Sequence, residues 1–122
     1  VAGVKRLEDL IAWQRAMSLC KAVDAVSPRL PDSEKFGSRL QLRRAVVSVP
    51  SNIAEGFGRG TRQEMLRFLG VARGSLFEVR TQLLIAIDLE FLAEADSTLE
   101  AVDEADRVLQ GLIRSMEELV DA

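Results

Sequence analysis

The side chains best suited to chemistry in this 122-residue chain are arginines. Arg39, Arg43, Arg44, Arg59, Arg62, Arg73 and Arg80 all fall within residues 35–80. That stretch carries nine basic side chains against three acidic ones. Residues 81–122 carry two basic against eleven acidic, so the net charge of −3 hides a basic middle and an acidic end. A guanidinium is a rigid fork that fits phosphate or carboxylate with two parallel hydrogen bonds. A row of them reads as a surface that tracks nucleic-acid phosphates. It reads equally as a set of partners for the chain's own acidic end, or for a second copy. The overall acidity counts against broad nucleic-acid affinity.

Other chemistry has little to stand on. With no histidine there is no histidine-based triad and no imidazole metal ligand. Cys20 is a single cysteine, so no internal disulfide forms. Its place among apolar residues at helical spacing suits an inert, buried thiol. Glu100, Asp103, Glu104 and Asp106 suit a solvated helix face. The segment "GFGRG" at 56–60 breaks the G-x-G-x-x-G spacing, has no strand before it and no Lys-Ser/Thr after it. The expectation is therefore no catalytic residue, no metal and no cofactor. The longest apolar run, "LLIAI", ends at Asp88 and is too short to span a membrane. One cysteine and no signal peptide at the N-terminus give an expected cytoplasmic setting.

The elements that position these residues read as helices. The composition is 48% hydrophobic with only 5% aromatic residues and three prolines, which favours helix over sheet. A first helix is predicted over 8–26, with Leu10, Trp13, Met17 and Cys20 as its apolar stripe and Leu19, Val23 and Val26 widening it. Pro28 and Pro31 stop it. A second helix is predicted over 36–57, with Ser38 and Gln41 as a capping box. Its apolar residues Leu42, Val46, Val49, Ile53 and Phe57 keep phase across Pro50. That continuity predicts one helix kinked at Pro50, which frees the Val46 carbonyl; the alternative is a break with Pro50 opening a new helix. Gly56 and Gly58 are expected to form a left-handed cap.

Thr61 with Glu64 caps a third helix over 62–89. Its seam Met65, Leu69, Ala72, Leu76, Val79, Leu83 and Ala86 repeats at alternating spacings of 4 and 3. A fourth helix is predicted over 95–120, with Leu99, Val102, Leu109, Leu112, Met116 and Leu119 inside. Short connections then give one all-α domain over 1–122, an up-down-up-down four-helix bundle. A polar stripe on the second helix (Gln41, Ser48, Asn52, Glu55, with Ser51 beside it) faces one on the third (Arg67, Glu78). A structural network between them is expected, with a Glu55–Arg67 pair. Apolar residues off the third helix's seam, among them Leu66, Phe68, Phe77 and Leu84, exceed what one seam buries and are candidates for an oligomer interface.

Four segments then resemble a known family: "EDLIAWQRA" (8–16), "EKFGSRLQLRRAVVSVPSNIAEGFGRG" (34–60), "RFLGVARGSLFEVRTQLLIA" (67–86) and "GLIRSM" (111–116). They are similar to the bacterial four-helix bundle proteins also called 23S rRNA intervening sequence proteins. The most specific match is Gln41, Arg43, Arg44 and Ala45, then Ser48 through Gly56. Arg39 and Leu40 stand where the family often has Thr-Ser, and Ala93 where it often has a capping Ser. The resemblance implies a bundle that assembles as a ring-like homo-oligomer, most often a pentamer, and carries no enzymatic activity. A related accessory protein of diversity-generating retroelements works with nucleic acid and a reverse transcriptase. The expected function is thus a non-enzymatic homo-oligomer whose arginine surface contacts RNA, DNA or a nucleic-acid enzyme. The alternative is a protein-binding or structural scaffold whose arginines serve subunit contacts.

Overall fold

The structure, a computed structural model, describes residues 1, 3–35 and 37–121, with side chains described through residue 119. Four helices make up the fold: α1 (Ile11–Val26), α2 (Ser38–Arg59), α3 (Arg62–Asp88) and α4 (Asp96–Asp121). Each helix packs on the next and α1 closes against α4, with α2 on α3 the most extensive of these contacts. The direction of each helix follows from which residues meet. On α1 and α2, Cys20 reaches Val46 while Asp24 reaches Arg43. Ser48 meets Ser75 while Gly56 lies against Met65 and Phe68. Arg62 meets Met116 while Arg80 meets Asp103, and Arg15 meets Glu104 while Arg29 meets Glu94. In every case numbers rise on one helix as they fall on the other, so all neighbours are antiparallel.

The α3 seam sits where its spacing puts it. Met65, Leu69, Ala72, Leu76, Val79, Leu83 and Ala86 are all buried, and each large one stabilises the fold by about 1.5–3 kcal/mol. The Thr61 hydroxyl accepts the Glu64 amide at 3.2 Å and starts the helix. No described helix is long and apolar enough to cross a membrane.

Helix α2 departs from expectation at both ends. The predicted start at residue 36 lies outside the described residues. The Ser38–Gln41 capping box does not form; the Ser38 amide donates instead to the Glu34 carboxylate at 3.4 Å. Pro50 lies inside one uninterrupted helix, so the alternative of a break is ruled out. Gly56 and Gly58 are not the cap. The helix runs through both to Arg59, and Gly60, with φ of 81°, takes the left-handed position. Gly56 is buried against α3, where only a missing side chain allows the helices to approach so closely.

Helix α1 keeps part of its predicted face, with Leu10, Leu19, Val23 and Val26 buried, but turns Trp13, Met17 and Cys20 outward. Residues 7–9 form a separate 3-10 turn and Leu10 is extended. The buried face is Ala12, Ala16, Leu19, Val23 and Val26. Trp13 and Cys20 are half-buried at its edge, and Met17 is exposed. Two alanines let α1 sit close to the core, and the larger side chains cover the rim. In α4, Leu119 is exposed while Thr98 and Ala105 join the buried face. Where α2 turns into α3, Val4, Phe57, Met65, Met116 and Leu119 line a cavity of about 290 Å³ at the end of the bundle.

Candidate functional site

Three sets of polar groups need a partner in this fold: the α2–α3 stripe, the arginines, and the backbone around Pro50. The stripe forms a short chain of hydrogen bonds. The Asn52 side-chain amide donates to the Ser48 carbonyl at 2.7 Å and to the Ser48 hydroxyl at 2.9 Å. The Ser48 and Ser75 hydroxyls share a hydrogen bond of 2.8 Å across the helices. Ser75 is buried and had no place in the predicted network; its signal was a small polar residue beside the apolar seam. Gln41, Ser51, Glu55, Arg67 and Glu78 lie exposed outside this chain. The Glu55–Arg67 pair is replaced by two local ones, Arg59–Glu55 at 2.9 Å and Arg67–Glu64 at 2.8 Å. Neighbours three and four residues apart on one helix meet without bridging to another.

Phe68 lies beside these pairs. The Arg67 and Arg59 guanidinium carbons stand 4.3 and 5.2 Å from its ring centroid, within cation–π range. Its base packs against Gly56, so Phe68 belongs to the α2–α3 contact rather than to an open face. Leu66 is likewise half-buried against the core. Phe77 and Leu84, by contrast, are 45% and 42% exposed.

The remaining arginines mostly find partners within the chain. Arg73 pairs with Asp106 at 3.0 Å and Arg80 with Asp103 at 2.8 Å, both on α4. Arg62 donates to the Met116 carbonyl at 3.2 Å. Arg43 lies 3.4 Å from Asp24, and Arg39 donates to the Leu30 carbonyl at 2.7 Å. Arg44 is exposed with no carboxylate in ion-pair range among the described residues. The hydrogen bond from Arg67, chiefly, holds Glu64 below the usual glutamate range; Arg107 does the same for Glu104, with Arg15 adding to it. Both carboxylates are partly exposed, and their pairs favour the folded state above that range by a small amount that is lost as pH falls below it through their lowered pKa.

Pro50 has no amide hydrogen, so the Val46 carbonyl four residues back has no helical donor. The Cys20 thiol supplies one from α1, with Sγ 3.6 Å from that oxygen. Burial pushes the thiol's pKa up, so it keeps its proton at neutral pH. Cys20 thus has a structural task that spacing alone did not reveal. Cys20→Ala should cost about 1 kcal/mol by leaving the carbonyl without a donor. In a Pro50→Ala background, where residue 50 can donate its own amide, the same change should cost far less. Thermal unfolding of the four proteins measures this; an equal cost in both backgrounds would mean that the thiol is not the carbonyl's partner. Among the described residues no three carboxylates or thiols converge as a metal site.

This arrangement of helices and motif residues matches a known group. The sequence pattern of the 23S rRNA-intervening sequence proteins fits residues 8–111. The chain belongs to that family. A crystal structure from the S23 ribosomal protein family of Bacteroides thetaiotaomicron, described as a protein with unknown function, superimposes with a TM-score of 0.75. It covers 84% of this chain and 97% of that one at 19% identity, a likeness of fold. No curated protein matches the chain. Within this 23S rRNA-intervening sequence protein, the run Ser48–Asn52 supplies Ser48 to the α2–α3 hydrogen bond with Ser75, Asn52 to its support from the same helix, and Pro50 to the gap that Cys20 fills.

Proposed function

We propose that the protein is a non-enzymatic scaffold that works by self-association, with the outer face of α3 as its contact surface. The observation that carries this reading is a second stripe on α3, opposite the buried seam. Gly70, Gly74, Phe77, Thr81 and Leu84 recur at alternating spacings of 4 and 3, and all five are exposed. Val71 and Ile85 flank it at 45% and 42% exposure. Glycine inside a helix costs about 1 kcal/mol relative to alanine. At Gly70 and Gly74 a Cβ would meet nothing within 4 Å, so nothing within the subunit requires them. A second helix approaching closely from outside would. The arginine pairs to Asp103 and Asp106 count against a long phosphate-tracking row and equally against those arginines as subunit contacts, because both guanidiniums are already engaged within the chain; the scaffold reading rests on the α3 face instead. A ring-like homo-oligomer, a pentamer by the family resemblance, is the assembly this face would serve.

Light scattering at micromolar concentration tests it. The protein should run as an oligomer, and Phe77→Glu with Leu84→Glu should give a monomer with unchanged helix content. A wild-type monomer, or a charged variant that still assembles, would sink the reading. Nucleic-acid contact remains as a second reading because Arg44 is unpaired and Arg43 is exposed on α2. It places the protein as an accessory to RNA, DNA or a nucleic-acid enzyme.

A further inference from the structure

Near the start of α2 a cleft of about 350 Å³ is lined by Lys35, Arg39, Leu40 and Arg43. Among the described residues, three of the four lining side chains are cationic and none is acidic. Carboxylates reach the two arginines only loosely: Asp32 lies 3.5 Å from Arg39 and Asp24 lies 3.4 Å from Arg43. Both are open to solvent, with side chains 103% and 72% exposed. Four pairs elsewhere on α2 and α3 are closer: Arg59–Glu55 and Arg67–Glu64 at 2.9 and 2.8 Å, Arg73–Asp106 and Arg80–Asp103 at 3.0 and 2.8 Å. Loose, exposed ion pairs contribute little, so an incoming anion displaces them at small cost. The third nearby acid, Glu34, is engaged with the Ser38 amide.

Arg39 gives the cleft a fixed component. Its side chain is only 19% exposed, and one Nη is tied to the Leu30 carbonyl at 2.7 Å. A guanidinium held this way loses little freedom when it takes a ligand. Its Nε is buried and, among the described residues, finds no acceptor.

We propose that this cleft is an oxyanion site that takes a phosphate group, with Arg39 as the anchored fork and Arg43 closing on the other oxygens. A tetrahedral phosphate offers several acceptors to cations arriving from different directions, and guanidinium forks match it in pairs. The phosphate can come from a free phosphate compound or from a nucleic-acid backbone; the chemistry of the cleft is the same for both. The site needs neither the α3 face nor self-association, so it stands or falls separately from the scaffold reading.

The test uses the full chain at low salt with two probes, inorganic pyrophosphate followed by phosphorus NMR and a short single-stranded RNA followed by fluorescence anisotropy. Pyrophosphate should bind saturably, and Arg43→Gln, an exposed change that leaves the core alone, should weaken it about tenfold. Arg80→Gln makes the same charge change on α3 and should leave it within about twofold. Saturable binding of pyrophosphate alone assigns a free phosphate; RNA binding that pyrophosphate competes away and Arg43→Gln weakens assigns a backbone. The proposal is overturned if neither probe saturates, or if Arg43→Gln and Arg80→Gln weaken binding equally.

Discussion

Gly56→Ala should lower the stability of the protein by about 1–3 kcal/mol, the usual range for overpacking a tight contact. The sign is the informative part. In an open helix interior the same change stabilises by about 1 kcal/mol, because alanine loses less freedom on folding than glycine. At Gly56 a Cβ would stand 2.9 Å from the Phe68 Cβ, 3.1 Å from the Met65 Sδ and 3.2 Å from the Met65 Cα. Side-chain ends can swing aside; the Met65 backbone and the Phe68 Cβ move only if α2 and α3 separate. That separation would loosen the most extensive helix contact in the molecule. Gly58, two residues on, faces open space. Gly58→Ala should therefore stabilise by a few tenths to about 1 kcal/mol. Thermal unfolding of both variants decides the matter, with shifts of about 3–6 °C per kcal/mol for a domain this size. A Gly56→Ala protein at least as stable as the wild type would show that the helices are not so tightly packed.

Leu69→Ala should cost about 2–5 kcal/mol, the range for emptying a buried leucine site. Leu69 is fully buried in the α3 seam, with Met65, Ala72 and Leu76 on the same face of the helix. The shell cannot collapse far, because the helices on either side are held by contacts all along their length. Leu84→Ala, the same change on the same helix, removes a side chain 42% exposed on the opposite face. In a monomer it should change stability by no more than about 0.5 kcal/mol. Chemical denaturation gives both numbers. A large cost at Leu84 that depends on protein concentration would locate that residue in a subunit contact; a small cost at Leu69 would contradict the seam.

The α3 seam and the continuity of α2 across Pro50 were legible because both rest on phase. A repeat that keeps register over many turns has no simpler cause than one buried stripe. The cap of α2 was not legible because Gly56, Gly58 and Gly60 offer the same backbone freedom, and composition cannot say which one uses it. A hint was present: Gly56 follows Val49 and Ile53 in the seam's own rhythm, which marks it as a buried contact. The outward turn of Trp13, Met17 and Cys20 on α1 was missed because large apolar residues were preferred as core. Ala12 and Ala16 bury little surface, yet they set how closely the helix approaches. At the candidate site a cross-helix bond forms at Ser48, whose short side chain reaches Ser75 only across a tight contact, while Asn52 bonds back to Ser48 on its own helix. The cross-helix idea failed for Glu55 and Arg67, whose long side chains found ions on their own helices first. The carbonyl left open by Pro50 could be read from sequence; the thiol that fills it comes from another helix and could not.

The antiparallel arrangement also gives the molecule two unlike poles. The α2–α3 turn sits at one, together with Val4 and Met116 around the end cavity. Residues 27–35 and 89–95 sit at the other, and the cationic cleft at Lys35 and Arg39 lies with them. The 22 residues of α2 separate the poles by about 30 Å. A label or surface tether placed beside residue 4 therefore stands a full helix length from the cleft. It can report on the molecule's orientation without crowding whatever the cleft holds.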